Sequence, residues 1–175
     1  MMLRKIVLAA ALLAAAQAQA ALKVGTPAPT FTTEAAVGGK AFKFDLSAEL
    51  KKGPVVLYFY PKAFTSGCTA EAHDFAEATP QFNALGATVV GMSNDNIDTL
   101  KKFSVEECRN KFAVAADEGA KMIKAYDVSL QIKPELADRV SFLIGQDGKV
   151  AAVHSAMDPS GHVKAMLEAV KALKK

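Results

Sequence analysis

Two cysteines, Cys68 and Cys108, are the side chains of this sequence with the greatest capacity for nucleophilic chemistry. Cys68 follows the apolar run 55–60, which predicts a buried strand, and precedes residues of helical composition. We therefore expect it in the first turn of a helix that begins where an interior strand ends. The positive end of a helix and its unpaired N–H groups favour thiolate over thiol, so this placement predicts a nucleophile. The alternative is a small buried hydrophobic residue, the commonest fate of a free cysteine.

Three further residues have the chemistry to assist a thiolate at position 68. Pro61, Thr65 and Cys68 stand at P-x-x-x-T-x-x-C spacing. A threonine hydroxyl can donate and accept hydrogen bonds at one point, while a proline ring fixes φ and provides apolar cover against water. Arg139 enters the apolar run 140–144 and can supply a positive charge. Simpler roles remain open for Thr65, as a helix N-cap, and for Arg139, as a surface residue of a strand.

With these residues in place, the sequence resembles the peroxiredoxins. The residues Tyr-Phe-Tyr-Pro-Lys at 58–62 and Gly-Cys-Thr-Ala-Glu at 67–71 are most similar to the PrxQ, or bacterioferritin-comigratory, branch, and the likeness covers roughly residues 22–174. The resemblance implies that Cys68 attacks the O–O bond of a hydroperoxide and becomes a sulfenic acid. It also implies that Thr65 and the backbone N–H of Cys68 bind the peroxide oxygens, and that Arg139 stabilises the thiolate and the transition state. No cofactor or metal is expected.

A sulfenic acid must condense with a second thiol before the enzyme can be recycled. Many PrxQ-like proteins place this resolving cysteine five residues after the first, but His73 stands there in this sequence. Five helical residues turn His73 roughly 140° from Cys68, and we interpret it as a solvated helix residue. Cys108, about 20° from Ile97 on the apolar side of a predicted helix, is the resolving candidate because some PrxQ members keep that cysteine there. Alternatively, Cys108 is an unreactive core thiol, and an external thiol recycles Cys68.

The elements that must position these residues alternate along the chain. The pattern indicates an α/β fold, a thioredoxin-like mixed β-sheet with helices on both faces and an antiparallel hairpin at its end. Pro80 predicts a kink or a break in the first long helix. The predicted elements are a hairpin over 31–44, a helical turn over 46–50, strands over 55–60, 87–92, 112–116, 139–144 and 149–154, and helices over 66–85, 97–111, 118–126 and 160–174.

The first 20 residues have the features of a secretory signal peptide. Arg4 and Lys5 precede an apolar stretch too short to span a bilayer, and a small-x-small cleavage site ends at Ala20. Cleavage there lowers the formal net charge from +3 to +1, so nothing suggests nucleic acid or an anionic membrane as a partner. We expect residues 21–175 to form one exported domain, periplasmic or secreted, without a membrane anchor. An uncleaved anchor is the alternative.

These observations favour an exported thiol peroxidase, a peroxiredoxin of the thioredoxin-dependent type. Its substrates would be hydrogen peroxide and organic hydroperoxides, and its reductant a thioredoxin-like protein or a small thiol. The alternative is a non-enzymatic redox sensor or binding protein with a structural Cys68–Cys108 disulfide, which would need none of Pro61, Thr65 and Arg139. A thiol-disulfide exchanger is disfavoured by the absence of C-x-x-C, and His154 and His162 show no metal-ligand spacing.

Overall fold

Seven strands and five helices make up residues 21–174, the part of the chain that the computed structural model describes. The predicted signal peptide lies outside these residues. The strands are β1 (Thr32–Val37), β2 (Lys40–Asp45), β3 (Val55–Phe59), β4 (Thr88–Ser93), β5 (Ala113–Ala116), β6 (Val140–Ile144) and β7 (Val150–Ser155). The helices are α1 (Leu46–Leu50), α2 (Ser66–Ala84), α3 (Ile97–Glu106), α4 (Lys121–Ala125) and α5 (His162–Leu173).

All seven strands belong to one mixed sheet, in the order β2-β1-β5-β4-β3-β6-β7. Strand β4 pairs in parallel with both β3 and β5, whereas β6 runs antiparallel to β3 and to β7. The predicted thioredoxin-like mixed sheet is therefore confirmed. The two predicted hairpins are also confirmed, with Gly38 and Gly39 in the turn between β1 and β2 and with residues 146–148 between β6 and β7.

Helices cover both faces of the sheet, as the uninterrupted apolar character of β3 predicts. Because side chains alternate along a strand, Val56 and Tyr58 point to one face while Leu57 and Phe59 point to the other. The first face packs against apolar residues of α2, α3 and α5, and the second against those of α1 and α4. No helix in residues 21–174 is both long and apolar enough to cross a membrane.

Helix α2 continues through Pro80, so the predicted break is wrong. An interior proline costs about 3 kcal/mol because it removes one hydrogen bond and crowds the preceding turn. Phe75 and Phe82, on either side of it, are fully buried against the sheet. Burying two such side chains contributes about 3–6 kcal/mol, which is enough to hold both halves of the helix in place.

Helix α3 ends at Glu106, earlier than the predicted Lys111, so Cys108 lies just beyond the helix and not on it. Arg109 and Asn110 adopt φ values of +51° and +59°, a left-handed conformation that ends a helix. The backbone N–H of Cys108 donates to the carbonyl of Phe103 at 3.0 Å in this closing turn. The predicted inward orientation of Cys108 is nevertheless confirmed, because its side chain is fully buried.

Helix α4 is likewise shorter than the predicted 118–126. Gly119 and Ala120 both adopt positive φ values, so regular helix begins only at Lys121. The Asp117 carboxylate accepts hydrogen bonds from the backbone N–H groups of Met122 and Ile123, which satisfies two donors that the short helix leaves unpaired. The segment between α4 and β6 then leads to Arg139.

Candidate active site

The antiparallel pairing of β3 and β6 brings Cys68 and Arg139 together. Phe59, the last residue of β3, is opposite Val140, the first residue of β6, so the end of one strand and the start of the other share one edge of the sheet. Cys68 follows β3 in the first turn of α2, and Arg139 immediately precedes β6. Nη2 of Arg139 donates to Sγ of Cys68 at 3.5 Å. The two residues predicted to share a site are therefore in contact.

Both residues are removed from solvent. Cys68 is 1% exposed and Arg139 is 3% exposed, so Arg139 is not a surface residue of its strand. Burial disfavours the charge of the guanidinium, but Glu71 and Cys68 outweigh this effect and raise the pKa of Arg139. The sulfur therefore lies beside a permanent positive charge and near the partial positive charge of a helix N-terminus. Because the site is buried, water does not screen either charge.

Arg139 is fixed from three sides. Its Nη1 donates to Oε2 of Glu71, its Nε donates to the carbonyl of Met157 at 3.0 Å, and its Nη2 contacts Cys68. The close approach also depends on Gly67, because a Cβ atom at that position would lie 3.0 Å from Nη2 of Arg139. The guanidinium is thus held on the sulfur by its partners and by the missing side chain of Gly67.

Thr65 occupies the N-cap position of α2, but its side chain caps nothing. Its backbone carbonyl accepts from the N–H of Thr69 at 2.9 Å, while its hydroxyl donates to the carbonyl of Lys62 at 2.9 Å. The predicted N-cap position is therefore confirmed, although the side chain makes no capping hydrogen bond. The exposed hydroxyl oxygen retains acceptor capacity for a substrate hydroxyl. Pro61 is half-buried and begins the loop that leads to Thr65.

That loop, residues 61–65, is anchored by Asp95, which sequence reasoning did not assign to the site. Oδ2 of Asp95 accepts hydrogen bonds from the N–H of Ala63 and from the hydroxyl of Ser93, both at 2.8 Å. Phe64 has a φ of +64°, which is unusual for a bulky residue, and its ring packs edge-on against Phe103 with centroids 5.2 Å apart. An acidic residue two positions after β4, at the same edge of the sheet, was the available signal for Asp95.

Sequence reasoning also missed the polar side chains that adjoin Arg139. Glu71 and His162 are fully buried, and Nδ1 of His162 lies 3.5 Å from Oε1 of Glu71. Burial raises the pKa of Glu71 to about 8, although the charge of Arg139 opposes this shift. Burial also lowers the pKa of His162 to about 4. The position of Glu71 three residues after Cys68, on the same side of α2, could have indicated its part, whereas His162 carried no signal.

Cys108 lies on the same face of the sheet as Cys68, in the apolar cluster that contains both residues. Both cysteines are thiols in this structure. Burial raises the pKa of the Cys108 thiol, so in this conformation it is a poor nucleophile. His73 is not freely solvated as predicted: its side chain is 34% exposed and lies 2.7 Å from the carboxylate of Glu107. Among residues 21–174, no group of three or more His, Cys, Asp or Glu side chains is arranged to hold a metal ion.

The chain is similar to known proteins both in sequence and in structure. The model of the AhpC/TSA family matches residues 24–153. Peroxiredoxin Bcp of Xanthomonas campestris pv. campestris is 31% identical over 80% of this chain and 97% of its own length. The chloroplastic peroxiredoxin Q of Sedum lineare is 32% identical over 73% of this chain and 68% of its own. The crystal structure of peroxidoxin BcpB from Mycobacterium tuberculosis superposes with a TM-score of 0.79 at 30% identity, covering 88% of this chain and 99% of that one.

Proposed function

The chain belongs to the AhpC/TSA family of peroxiredoxins, and we propose that Cys68 is the residue with which it reduces hydroperoxides. The protein is a thiol-dependent peroxidase, an antioxidant oxidoreductase of the thioredoxin-dependent type. The contact between the buried guanidinium of Arg139 and the sulfur of Cys68 is the single observation that supports this assignment best. A structural disulfide would not need that contact, and the non-enzymatic alternative is not favoured.

In the first step the Cys68 thiolate attacks the terminal oxygen of the hydroperoxide. A bond forms between Sγ and that oxygen while the O–O bond breaks, so the sulfur is oxidised by two electrons and becomes a sulfenic acid. The other oxygen leaves as hydroxide or alkoxide and takes up a proton to give water or an alcohol. Arg139 and the backbone N–H of Cys68 point fixed positive charge at the developing anion, and Thr65 positions the peroxide.

In the second step a thiol condenses with the sulfenic acid, forming a disulfide and releasing water. We propose Cys108 as this thiol, because it is the second cysteine of the chain and shares an apolar cluster with Cys68. A thioredoxin-like reductant then reduces the disulfide and regenerates both thiols. The features of the first 20 residues support export to the periplasm or secretion, in which case the immediate reductant is an exported thioredoxin-like protein or a small thiol.

A single-turnover assay tests the assignment of Cys68. One equivalent of hydrogen peroxide is added to pre-reduced protein, and peroxide loss and intact mass are followed. We expect Cys68→Ser to consume no peroxide while it keeps the native circular dichroism spectrum. The matched control is Cys108→Ser, which should consume the first equivalent at the wild-type rate. Peroxide consumption by folded Cys68→Ser at the wild-type rate would overturn the proposal.

A further inference from the structure

A buried polar cluster adjoins Arg139 and has no part in the mechanism described above. It consists of Glu71 on α2, Ser141 on β6 and His162 at the first position of α5, all fully buried. A fully buried histidine is costly unless its two ring nitrogens are both satisfied. In this cluster both ring nitrogens have hydrogen-bond partners, and these partners indicate which nitrogen carries the hydrogen.

The hydrogen bonds of His162 assign its tautomer. Its Nε2 lies 2.9 Å from the carbonyl oxygen of Ala156, which can only accept, so Nε2 carries the hydrogen. Its Nδ1 therefore has a lone pair, and it accepts from the hydroxyl of Ser141 at 2.8 Å. The ring is neutral in this arrangement, in agreement with the low pKa that burial imposes on it.

Nδ1 also lies beside Glu71, but its one lone pair is engaged by the hydroxyl of Ser141, and it has no hydrogen to donate. Oε1 of Glu71 lies 3.5 Å from Nδ1 and has no hydrogen-bond partner among residues 21–174, while Oε2 accepts from Arg139. An ionised oxygen at this position would be buried in a dry site without a donor. A protonated carboxyl group loses less free energy on such burial. The geometry thus favours the neutral acid form of Glu71.

The protonation state of Glu71 affects the sulfur of Cys68 through the charge they share with Arg139. Arg139 carries one positive charge and contacts two acids, Cys68 and Glu71. A buried trio with both acids ionised has an uncompensated negative charge, whereas a trio with one proton between them is neutral. If one of the two acids keeps the proton, the positive charge of Arg139 stabilises the ionised form of the other.

We propose that His162 is a positioning residue that keeps the Glu71 carboxyl protonated and so leaves the positive charge of Arg139 to the sulfur of Cys68. The proposal rests on the role of Cys68 in peroxide reduction proposed above. His162 also supports Arg139 indirectly, because Ala156, which accepts from its Nε2, immediately precedes Met157, which accepts from Arg139. One ring thereby lies beside the competing carboxyl group and fixes the segment that accepts from the guanidinium.

The charged and titratable groups around Glu71 come from four elements and two loops. They are Cys68 and Asp74 on α2 itself, Tyr58 on β3, Arg139 immediately before β6, His162 on α5, and, behind His162, His154 on β7 and Asp158 in the following loop. Asp74 adds to the preference of Glu71 for its proton, and Arg139 alone among them opposes it. A neutral His162, with no hydrogen on Nδ1, does not counteract the effect of burial on the pKa of Glu71, whereas a cationic ring would lower that pKa.

The first test needs only the wild-type protein. Glutamate labelled with carbon-13 at the side-chain carboxyl is incorporated, and the carboxyl signals are titrated by NMR. We expect one glutamate to remain protonated at pH 7, when solvated glutamates, with pKa values near 4.3, are ionised. Loss of this signal in Glu71→Gln identifies it. A wild-type protein in which every glutamate is ionised at pH 7 would overturn the proposal.

The second test separates positioning from mere support of the fold. In His162→Gln the side-chain amide can still donate to the Ala156 carbonyl, but the ring nitrogen that lies beside Glu71 is lost. We expect the titration midpoint of Glu71 to fall by about one pH unit or more, and the rate constant of the peroxide step at pH 7 to fall with it, by about twofold for one unit and about tenfold for two. In wild type that rate constant should decline through the same pH at which Glu71 ionises. A purely structural role would slow the reaction at every pH and leave the midpoint in place.

The control is His73→Gln, which removes an imidazole that faces Glu107 and not Glu71. It should leave the Glu71 midpoint unchanged. An unchanged midpoint in His162→Gln as well would overturn the role of His162. Should wild-type protein fail to oxidise Cys68 at any pH, the proposed peroxide chemistry would be refuted, while the NMR titration would still decide the relationship between Glu71 and His162.

Discussion

Nε2 of His73 lies 2.7 Å from Oε2 of Glu107, the residue immediately before Cys108. One turn further along α2, Glu77 lies 3.1 Å from Arg109, the residue immediately after Cys108. Two successive turns of α2 therefore hold both neighbours of the candidate resolving cysteine, and we call these two pairs the Cys108 clasp. His73, five residues after Cys68, thus forms one of the two contacts that restrain the chain on either side of Cys108.

Opening the clasp should accelerate disulfide formation, because Cys108 is fully buried and must move to meet Cys68. The double variant Glu77→Gln/Glu107→Gln removes both pairs. Partly exposed pairs of this kind contribute about 0.2–1 kcal/mol each, so we expect a rise of about two- to thirtyfold in the rate of disulfide formation after one equivalent of peroxide. Alkylation quenching and intact mass, which falls by two hydrogens on oxidation, measure that rate.

Lys101→Gln is the matched control for the clasp, since it breaks the exposed Lys101–Asp98 pair of α3 without touching Cys108. It should form the disulfide at the wild-type rate. If no peptide linking Cys68 to Cys108 appears in wild type, and Cys108→Ser turns over normally with a small external thiol, Cys108 is a core residue and the enzyme uses one cysteine.

Adding one methyl group at Gly67 should slow the peroxide step. In Gly67→Ala the new Cβ would lie 3.0 Å from Nη2 of Arg139, which Glu71 and Met157 prevent from moving away. Removing one donor to a developing anion costs about 10²–10³ in rate, so displacing this one should cost about tenfold or more. Stopped-flow peroxide kinetics measure the effect, and the neighbouring exposed Ser66→Ala serves as control. Equal rates in both variants would show that the contact is dispensable.

The hydroxyl of Thr65 should matter for rate and not for stability. Its one hydrogen bond, to the carbonyl of Lys62, is exposed, so Thr65→Val should unfold at nearly the wild-type urea concentration. The same variant should lose about 10- to 100-fold in the peroxide step, because the peroxide loses a polar partner. Thr65→Ser keeps the hydroxyl and should recover most of the rate. Equal rates for the valine and serine variants would exclude a role for the hydroxyl.

Two buried groups should shape the pH dependence of stability in opposite directions. Glu71 has a pKa of about 8 in the folded protein, above its ordinary 4.5, so the folded state holds this proton more tightly. The free energy of unfolding should therefore fall as pH rises from about 4.5 to 8. His162 has a pKa of about 4, below its ordinary 6.5, so its contribution is lost as pH falls from about 6.5 to 4.

Of these two contributions to the free energy of unfolding, only that of Glu71 still changes above pH 6.5. Measurements in that range therefore report on Glu71. Urea unfolding of wild type between pH 6.5 and 8.5 should show declining stability. The decline should be weaker in Glu71→Gln, whose side chain does not titrate. A parallel decline in both proteins would assign it to other groups.

Local patterns predicted the parts of the fold and of the site that depend on neighbouring residues. The turn at Gly38 and Gly39 and the first-turn position of Cys68 follow from short stretches of sequence. The end of α3 could not be predicted, because Arg109 and Asn110 adopt left-handed φ values without a glycine to signal them. The neutral state of the buried cluster could not be predicted either, since it depends on α5 packing against β6 and placing His162 beside Ser141.

The pairing of β3 with β6 also determines when the thiol can become reactive during folding. Cys68 and Arg139 are separated by 71 residues, so their contact carries a high loop-closure cost and forms late. A chain that has formed α2 but not the β3–β6 ladder carries an ordinary cysteine without a guanidinium beside it. Because the guanidinium is not yet in place, the Cys68 thiol of such an intermediate reacts slowly with peroxide. Recovery of peroxide reactivity during refolding would then report closure of the sheet and not the return of helix.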